Sequence, residues 1–385
     1  MPNAHARLSA SGAKRWLVCH PSVRLEEEFP EQSSSYAEEG TVAHSLGELH
    51  LRLALGELTK AQHKKQLNTL KKEHVTYYSQ EMEEAVATYV EAVMELYAEA
   101  KSSCPDAMIM LEQRVDFSEW VPDGFGTGDV VIIADNSLHI ADLKFGRGVK
   151  VDAEDNPQLK LYALGAFSEY AMLYDIAQVK MTIIQPRLDH ISTSELVIED
   201  LLEWANTYVK PRALLAYNGE GEFIPGEETC RFCKAKYVCR ARGVQQLELM
   251  KHDLQSADTF SEDEIAELLT KVGPLVEWAK DIADYAYKQA TENHVRYTGW
   301  KLIEGRSTRR YKDGLEVAKV LKQAGYEEAI IFEKNLLGIT AMEKALGKKV
   351  FKELLEGLVE KPQGKPMLTP EGDKRPEMQL IRDAF

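Results

Sequence analysis

A chain of 385 residues is too long for one small core and suits two domains, or one with a sizeable appendage. With 44% hydrophobic and 28% charged residues its composition is that of a soluble globular protein, and no apolar run approaches the roughly 20 residues that a bilayer span needs. A formal net charge of −15 argues against a protein held on nucleic acid mainly by a broad basic surface, but not against an enzyme whose acidic site recruits divalent cations. The opening Met1-Pro-Asn-Ala-His5 lacks the basic start and apolar stretch of a secretory signal, so the cytoplasm is the expected compartment.

Residues 1–60 read as helical segments broken by a polar stretch at Glu31–Tyr36. Met82, Val86, Tyr89, Val90, Val93 and Leu96 recur at helical spacing and predict an amphipathic helix over 79–101. Three strand-like runs follow, Met108–Phe117, Gly128–Ala134 and Ser137–Phe145, with Asp135-Asn136 as a hairpin turn between the last two. A helix is predicted over 156–173, then strands at Val179–Gln185 and Ile191–Val197, then a helix at Ile198–Tyr217. The order αβββαβ implies an α/β domain, a central mixed sheet flanked by helices, ending near residue 250.

Beyond residue 255 the texture changes to a mainly helical region, 255–385. Ser261 with Glu262, Asp263 and Glu264 behind it starts a long helix to about His294. A short strand at Gly299–Gly305 and helices at Gly314–Ala324 and Ala341–Leu358 follow, and the proline-spaced tail from Lys361 reads as irregular.

The chemistry concentrates in Gly126-Thr-Gly-Asp129 and Ile140-Ala-Asp142-Leu-Lys144. Asp142 and Lys144 are two apart on one strand, so their side chains leave the same face. Two carboxylates at adjacent hairpin ends can bind a hard divalent cation, and an ammonium beside them can stabilise charge on a phosphate. Asp-x-Lys alone is short and common; its place at the end of the apolar run Leu138–Ala141, before Gly146 and Gly148, is what gives it weight. Candidate contacts to a phosphate backbone are Arg147 and Lys150 beside Lys144, and the run Arg231, Lys234, Lys236, Arg240 and Arg242.

Gly-x-x-Asp129, then Asp142-Leu-Lys144, then Gln158-Leu-Lys-Leu-Tyr162 resembles the ordered motifs of PD-(D/E)XK nucleases of the RecB-like branch. The resemblance implies a restriction-endonuclease-like core and a Mg²⁺- or Mn²⁺-dependent deoxyribonuclease, acting as an exonuclease in recombination or repair, of phage or bacterial type. It makes Asp129, Asp142, Lys144, Gln158 and Tyr162 the catalytic set, and Gln158 and Tyr162, four apart, share one helical face. Glu39-Gly-Thr-Val-Ala-His44 is similar to the element whose histidine ligates a metal with the two aspartates. Glu48 and Glu112 are weaker candidates for the same site.

Cys230-x2-Cys233-x5-Cys239 is a soft metal site, and zinc is the ordinary reading of clustered cysteines. The resemblance implies more: a [4Fe–4S] cluster held by these three with Cys19, closing a domain over residues 1–250 as a clip. Cys104 belongs to neither motif. Residues 255–385 carry no catalytic motif; clamping DNA, docking a single-strand annealing protein and assembling subunits stay open as roles. The chain lacks a Gly-x4-Gly-Lys-Ser/Thr loop and so any nucleotide-driven motor of that kind. The alternative is a catalytically silent or partner-dependent DNA-binding module that keeps the nuclease fold.

Overall fold

Hydroxyl caps start the three long helices of the N-terminal part. Ser34, Thr59 and Ser79 accept from the backbone N–H groups of Ala37, Gln62 and Met82, satisfying donors that a helix start otherwise leaves open. They open α3 (Ser35–Ala54), α4 (Lys60–Glu73) and α5 (Gln80–Ser103), behind the short α1 (Ala13–Trp16) and α2 (Ser22–Glu27). The structure, a computed structural model, describes residues 6–30, 34–251, 262–303, 313–325, 327–332, 337–355 and 358–359. Helix α4 lies where the apolar periodicity predicts nothing, because it buries no residue fully.

Strands β1 (Met108–Asp116), β2 (Phe125–Ala134), β3 (Asn136–Leu143), β4 (Ile176–Gln185) and β5 (His190–Val197) form one five-stranded mixed sheet in sequence order. All pairings are antiparallel except β3 with β4. A parallel neighbour needs a crossover, and α6 (Pro157–Tyr170) lies on that connection. The predicted turn is there: Ala134 pairs with Ser137 across Asp135-Asn136, and Asn136 takes a φ of +71°, as a tight hairpin demands.

Alternation along β2 sorts the core into two layers. Val131 and Ile133 join the cluster of α6, with Leu138, Ile140, Leu159, Ala163 and Leu164; Val130 and Ile132 join that of α3 and α5, with Val42, Leu46, Val86 and Val93. Each fully buried aliphatic side chain of this kind stabilises by about 1.5–3 kcal/mol. The first layer continues over α7 (Ile198–Trp204) and α8 (Lys210–Asn218), which the sequence reads as one helix. A π-turn at Ala205–Val209 separates them, next to Pro211, which has no N–H to continue the α-helical ladder.

The chain forms two compact units, Met1–Leu302 and Ile303–Phe385. The first also holds α9 (Glu227–Arg231), α10 (Arg240–Lys251) and α11 (Glu262–Glu292), the long helix expected after Ser261. The strand expected at Gly299–Gly305 is not formed over 299–303, where Gly299 turns at φ +85°; residues 304–305 lie outside the described residues. The second unit contains α12 (Gly314–Gln323), α13 (Glu328–Ile331), α14 (Ile339–Leu346) and α15 (Lys348–Leu355). The single helix expected at Ala341–Leu358 is broken at Gly347, whose φ of +78° leaves the helical region. The tail from Lys361 lies outside the described residues. Among the described residues no helix is long and apolar enough to cross a membrane.

Candidate metal and acid–base site

The site forms where the sheet comes apart. The β2–β3 ladder runs from Ala134–Ser137 to Val130–Ala141 and stops. Continued, it would set Leu143 opposite Gly128; instead the Leu143 N–H donates to Oδ2 of Asp129 at 2.7 Å. On the other side of β2, Leu111 pairs with Val130 and Gln113 with Gly128, so Glu112 faces Asp129 without a partner of its own in the ladder. Glu112 has a φ of +50°, which costs a non-glycine residue about 1–2 kcal/mol. Strain of this kind gathers where a side chain is held for a purpose. Donor atoms of His44, Glu112 and Asp129 lie within 4.8 Å of one another, and His44 Nδ1 is 3.2 Å from Oδ1 of Asp129.

The second half is built by β3 and the start of α6. Asn156 caps α6 by accepting from the N–H groups of Gln158 and Leu159, and Pro157 occupies the first turn, where its missing donor costs nothing. That cap fixes Gln158 one turn below Tyr162. Gln158 Nε2 donates to Oδ1 of Asp142 at 3.1 Å and to the Tyr162 hydroxyl at 3.2 Å, while its Oε1 accepts from Lys144 Nζ at 2.9 Å. Lys144 Nζ also stands 2.8 Å from Oδ2 of Asp142. Gly126 is needed for this closeness: a Cβ there would sit 2.7 Å from the Tyr162 ring.

The electrostatics are those of a crowded acidic cleft. Burial, then the charge of Asp129, pushes the Asp142 carboxyl up, against the pull of Lys144. Burial also raises Asp129, but the His44 imidazolium, the Leu143 N–H and Lys144 together hold this carboxyl below its ordinary value. His44 itself, which burial alone would lower, is lifted to about 9 by Asp129 and Asp142. Burial, then Asp129, pushes Glu112 up to about 7. Lys144, which burial alone would lower, is raised above its ordinary value by Asp142 and so stays an ammonium. The Tyr89 phenol is pushed well up, first by burial and then by Asp129 and Asp142.

This donor set fits a hard divalent cation. It offers carboxylate oxygens and one imidazole, and Oδ2 of Asp142, a residue only 2% exposed, has the Lys144 ammonium near it but no well-aligned hydrogen bond. Every residue that the sequence assigned to catalysis, Asp129, Asp142, Lys144, Gln158 and Tyr162, is joined here with His44. Glu112 belongs with them. Glu48 pairs with Arg52 at 2.8 Å, and its charge is among those that raise Glu112.

The loop after Lys144 is pinned rather than loose. The buried Gln185 at the end of β4 accepts from the Val151 N–H at 3.1 Å and donates to the carbonyls of Gly146 and Val149 at 2.8 Å each. Arg147 pairs with Glu81, and Lys150 lies 3.5 Å from Asp152. Both residues expected to contact DNA are therefore engaged with carboxylates. Within the second basic run, Arg231 pairs with Glu227, and Lys236 and Arg242 with Asp281.

Cys19, Cys230, Cys233 and Cys239 line one cavity with Ser22, Phe223 and Thr229. No disulfide joins any of them, nor Cys104, which is buried apart against Ala107 and Ala134. The Ile224 N–H donates to Sγ of Cys19 at 3.4 Å. Burial, then Glu26, pushes the Cys233 thiol up to about 12. The fold thus brings Cys19 to the same cavity as three cysteines about 210 residues further along the chain.

A family model described as protein of unknown function (DUF2800) matches residues 5–376. The chain belongs to the DUF2800 family. Among solved structures, one titled "Crystal structure of SSO0001" is similar at 16% identity, covering 43% of this chain and 80% of that one, with a TM-score of 0.21. A likeness of that size carries nothing for fold or function.

Two site residues of this DUF2800 protein escape the sequence reading. Tyr89 reads as one more apolar position on α5, and its hydroxyl on an otherwise aliphatic face is the only signal. Gln185 carries none, because a glutamine at a strand end has no pattern of its own.

Proposed function

We propose that this chain is a Mg²⁺- or Mn²⁺-dependent DNA nuclease with a PD-(D/E)XK core of the RecB-like type, hydrolysing phosphodiester bonds in recombination or repair. One observation carries the reading: Asp129, Asp142, Lys144, Gln158 and Tyr162 form a single connected constellation beside His44 and Glu112, where β2 and β3 part. His44, Glu112, Asp129 and Asp142 would hold the cation, which when bound supplies Lewis acidity toward a phosphoryl oxygen and a more acidic water.

The protein's own part is preorganisation. Lys144, fixed by Asp142 and Gln158 and kept cationic, presents N–H donors toward a phosphate that approaches Asp142, where they meet developing negative charge. Gln158 keeps Asp142 and Lys144 in register by holding one with its amide nitrogen and the other with its oxygen. Tyr162 fixes the orientation of that amide. The walls of Tyr89 and Tyr162 thin the water around the carboxylates, which strengthens each of these interactions.

Cys19, Cys230, Cys233 and Cys239 would hold a [4Fe–4S] cluster or Zn²⁺ as a structural clip. It is the resemblance to RecB-like nucleases that favours the cluster over zinc, since four cysteines by themselves suit either.

The test is degradation of linear single- and double-stranded DNA by anaerobically purified protein in Mg²⁺, Mn²⁺ or EDTA, with Lys144→Ala alongside. Metal-dependent degradation that disappears in the variant is the expected result, and end-labelled substrates then give polarity. Folded wild-type protein inert on every substrate would replace this reading with the partner-dependent module. Brown protein containing iron, against colourless protein containing zinc, decides the group at the cysteines.

A further inference from the structure

Helix α4 is a basic island on an acidic protein. Its fourteen residues, Lys60–Glu73, include five lysines and one glutamate, although the whole chain carries a net charge of −15. Lys60, Lys64, Lys65 and Lys72 are exposed and have no carboxylate partner among the described residues. A merely solvated helix face in such a protein would be acidic or would interleave lysines with glutamates four residues apart. The neighbouring α5 shows the acidic version, with Glu84, Glu91, Glu95 and Glu99 exposed.

Core burial does not account for α4 either. No residue of it is buried, and only Leu67 and Leu70 pack partly against the α3–α5 layer. Polar contacts hold its inner edge. His63 Nε2 is 2.9 Å from His50 Nδ1, His50 Nε2 is 2.9 Å from Glu83, and Lys71 pairs with Glu83 at 3.3 Å and lies over the Tyr78 ring. His50 stands on α3 fewer than two turns beyond His44, so α4 is fastened to the helix that supplies the site's imidazole. With His63, Leu67 and Leu70 turned inward, the helical period sets Lys64, Lys65, Asn68 and Lys72 on the outer side. From Lys64 to Lys72 is about 12 Å of helix axis, the length of three to four steps of a duplex.

We infer that the outer face of α4 is the surface on which this protein holds the phosphate backbone of DNA, through Lys64, Lys65 and Lys72. The inference rests on the nuclease reading for the identity of the polyanion. It explains how an acidic chain would engage DNA when Arg147 and Lys150 are already paired with carboxylates: the positive charge is concentrated on one helix held to the helix that carries His44.

The test measures binding of a fluorescein-labelled duplex and its single strand by anisotropy across a salt titration, with Ca²⁺ in place of Mg²⁺. Wild type is compared with K64A/K65A/K72A and with K64R/K65R/K72R, with circular dichroism melts of each. The alanine variant is expected to melt like wild type and bind at least about tenfold more weakly. Its slope of log affinity against log salt should be lower by about 3, close to one per lysine removed; the arginine variant should keep both. Unchanged affinity and slope in the folded alanine variant would overturn the inference. So would a wild-type protein that binds no DNA, or one whose lysine-dependent binding is to anionic phospholipid vesicles and not to DNA. Hydrolysis in Mg²⁺ is read in parallel. Cleavage with lysine-independent binding removes this inference alone, whereas lysine-dependent binding without cleavage removes the nuclease reading alone.

Discussion

The carboxylate cleft and the cysteine cavity both gather metal-ligating residue types, but they are held together in opposite ways. At the cleft most of the charged groups already have a protein partner: His44 with Asp129 and Lys144 with Asp142, with Gln158 bridging the second pair. The groups stand on strand ends and on helices whose apolar faces form the two core layers. The cysteine cavity rests on short helices and loops, and burial pushes the thiols of Cys19 and Cys233 toward the neutral form, Cys233 to about 12. It ties the region of α1 to that of α9, far apart in the chain. On the proposed reading the cleft is built by folding before any ion arrives, while the cavity would become a cross-link only with an ion in it.

Lys144→Ala separates the two regions most sharply. It removes the ammonium that on the proposed reading would face a phosphate, and is expected to lower kcat about a thousandfold while leaving any iron or zinc content unchanged; a variant retaining a tenth of wild-type turnover would break the assignment. Cys19→Ser should do the reverse. It opens a loop of about 210 residues and is expected to cost on the order of 3–5 kcal/mol in urea unfolding. Chelating Mg²⁺ with EDTA should barely move the same transition, and equal sensitivity of stability to both treatments would refute the contrast.

Acid provides a third probe, at a residue in the sheet that touches neither metal set. His139 on β3 is 2.8 Å from Thr182 Oγ1, and burial, then Lys180, holds its pKa down at about 4. The unfolded chain titrates it near 6.5, so between those values the unfolded state binds more protons. Its contribution is complete above about pH 6.5 and is lost as pH falls toward 4, on the order of 3 kcal/mol in all. His139→Gln should flatten the acid limb of stability against pH, and an unaltered limb would show that the imidazole does not matter there. The smallest effect is at Gly126→Ala, whose Cβ would displace the Tyr162 ring. About 1–2 kcal/mol of overpacking and roughly a tenfold fall in kcat should follow, with the cysteine region untouched.

How much of this was legible in the sequence follows from the range of each interaction. The hairpin turn at Asp135-Asn136, the alternation of β2 and β3 and the stripe of α5 are local patterns with a period, so they read directly. The pairing of Asp142 with Lys144, and of Gln158 with Tyr162, is likewise fixed by the geometry of one strand and one helix. Helix α4 was missed because a helix without an apolar stripe leaves no period to find. The expected DNA contact at Arg147 could not be weighed, because the glutamate that engages it comes from α5, 66 residues away, whereas Asp152 beside Lys150 was there to be read.

By itself, then, the sequence determined which residue types stand at which spacing: two carboxylates and a lysine on a hairpin, a glutamine and tyrosine on one helical face, and three clustered cysteines. Only the tertiary structure decided that Glu112 turns into a left-handed conformation opposite Asp129, and that Tyr89 walls the cleft. It also decided that Gln185 ties down the loop behind Lys144, and that α4 carries its lysines beside α3. Those are contacts between segments remote in the chain, set by how the two core layers pack on the sheet, and nothing in a local pattern encodes the distance between them.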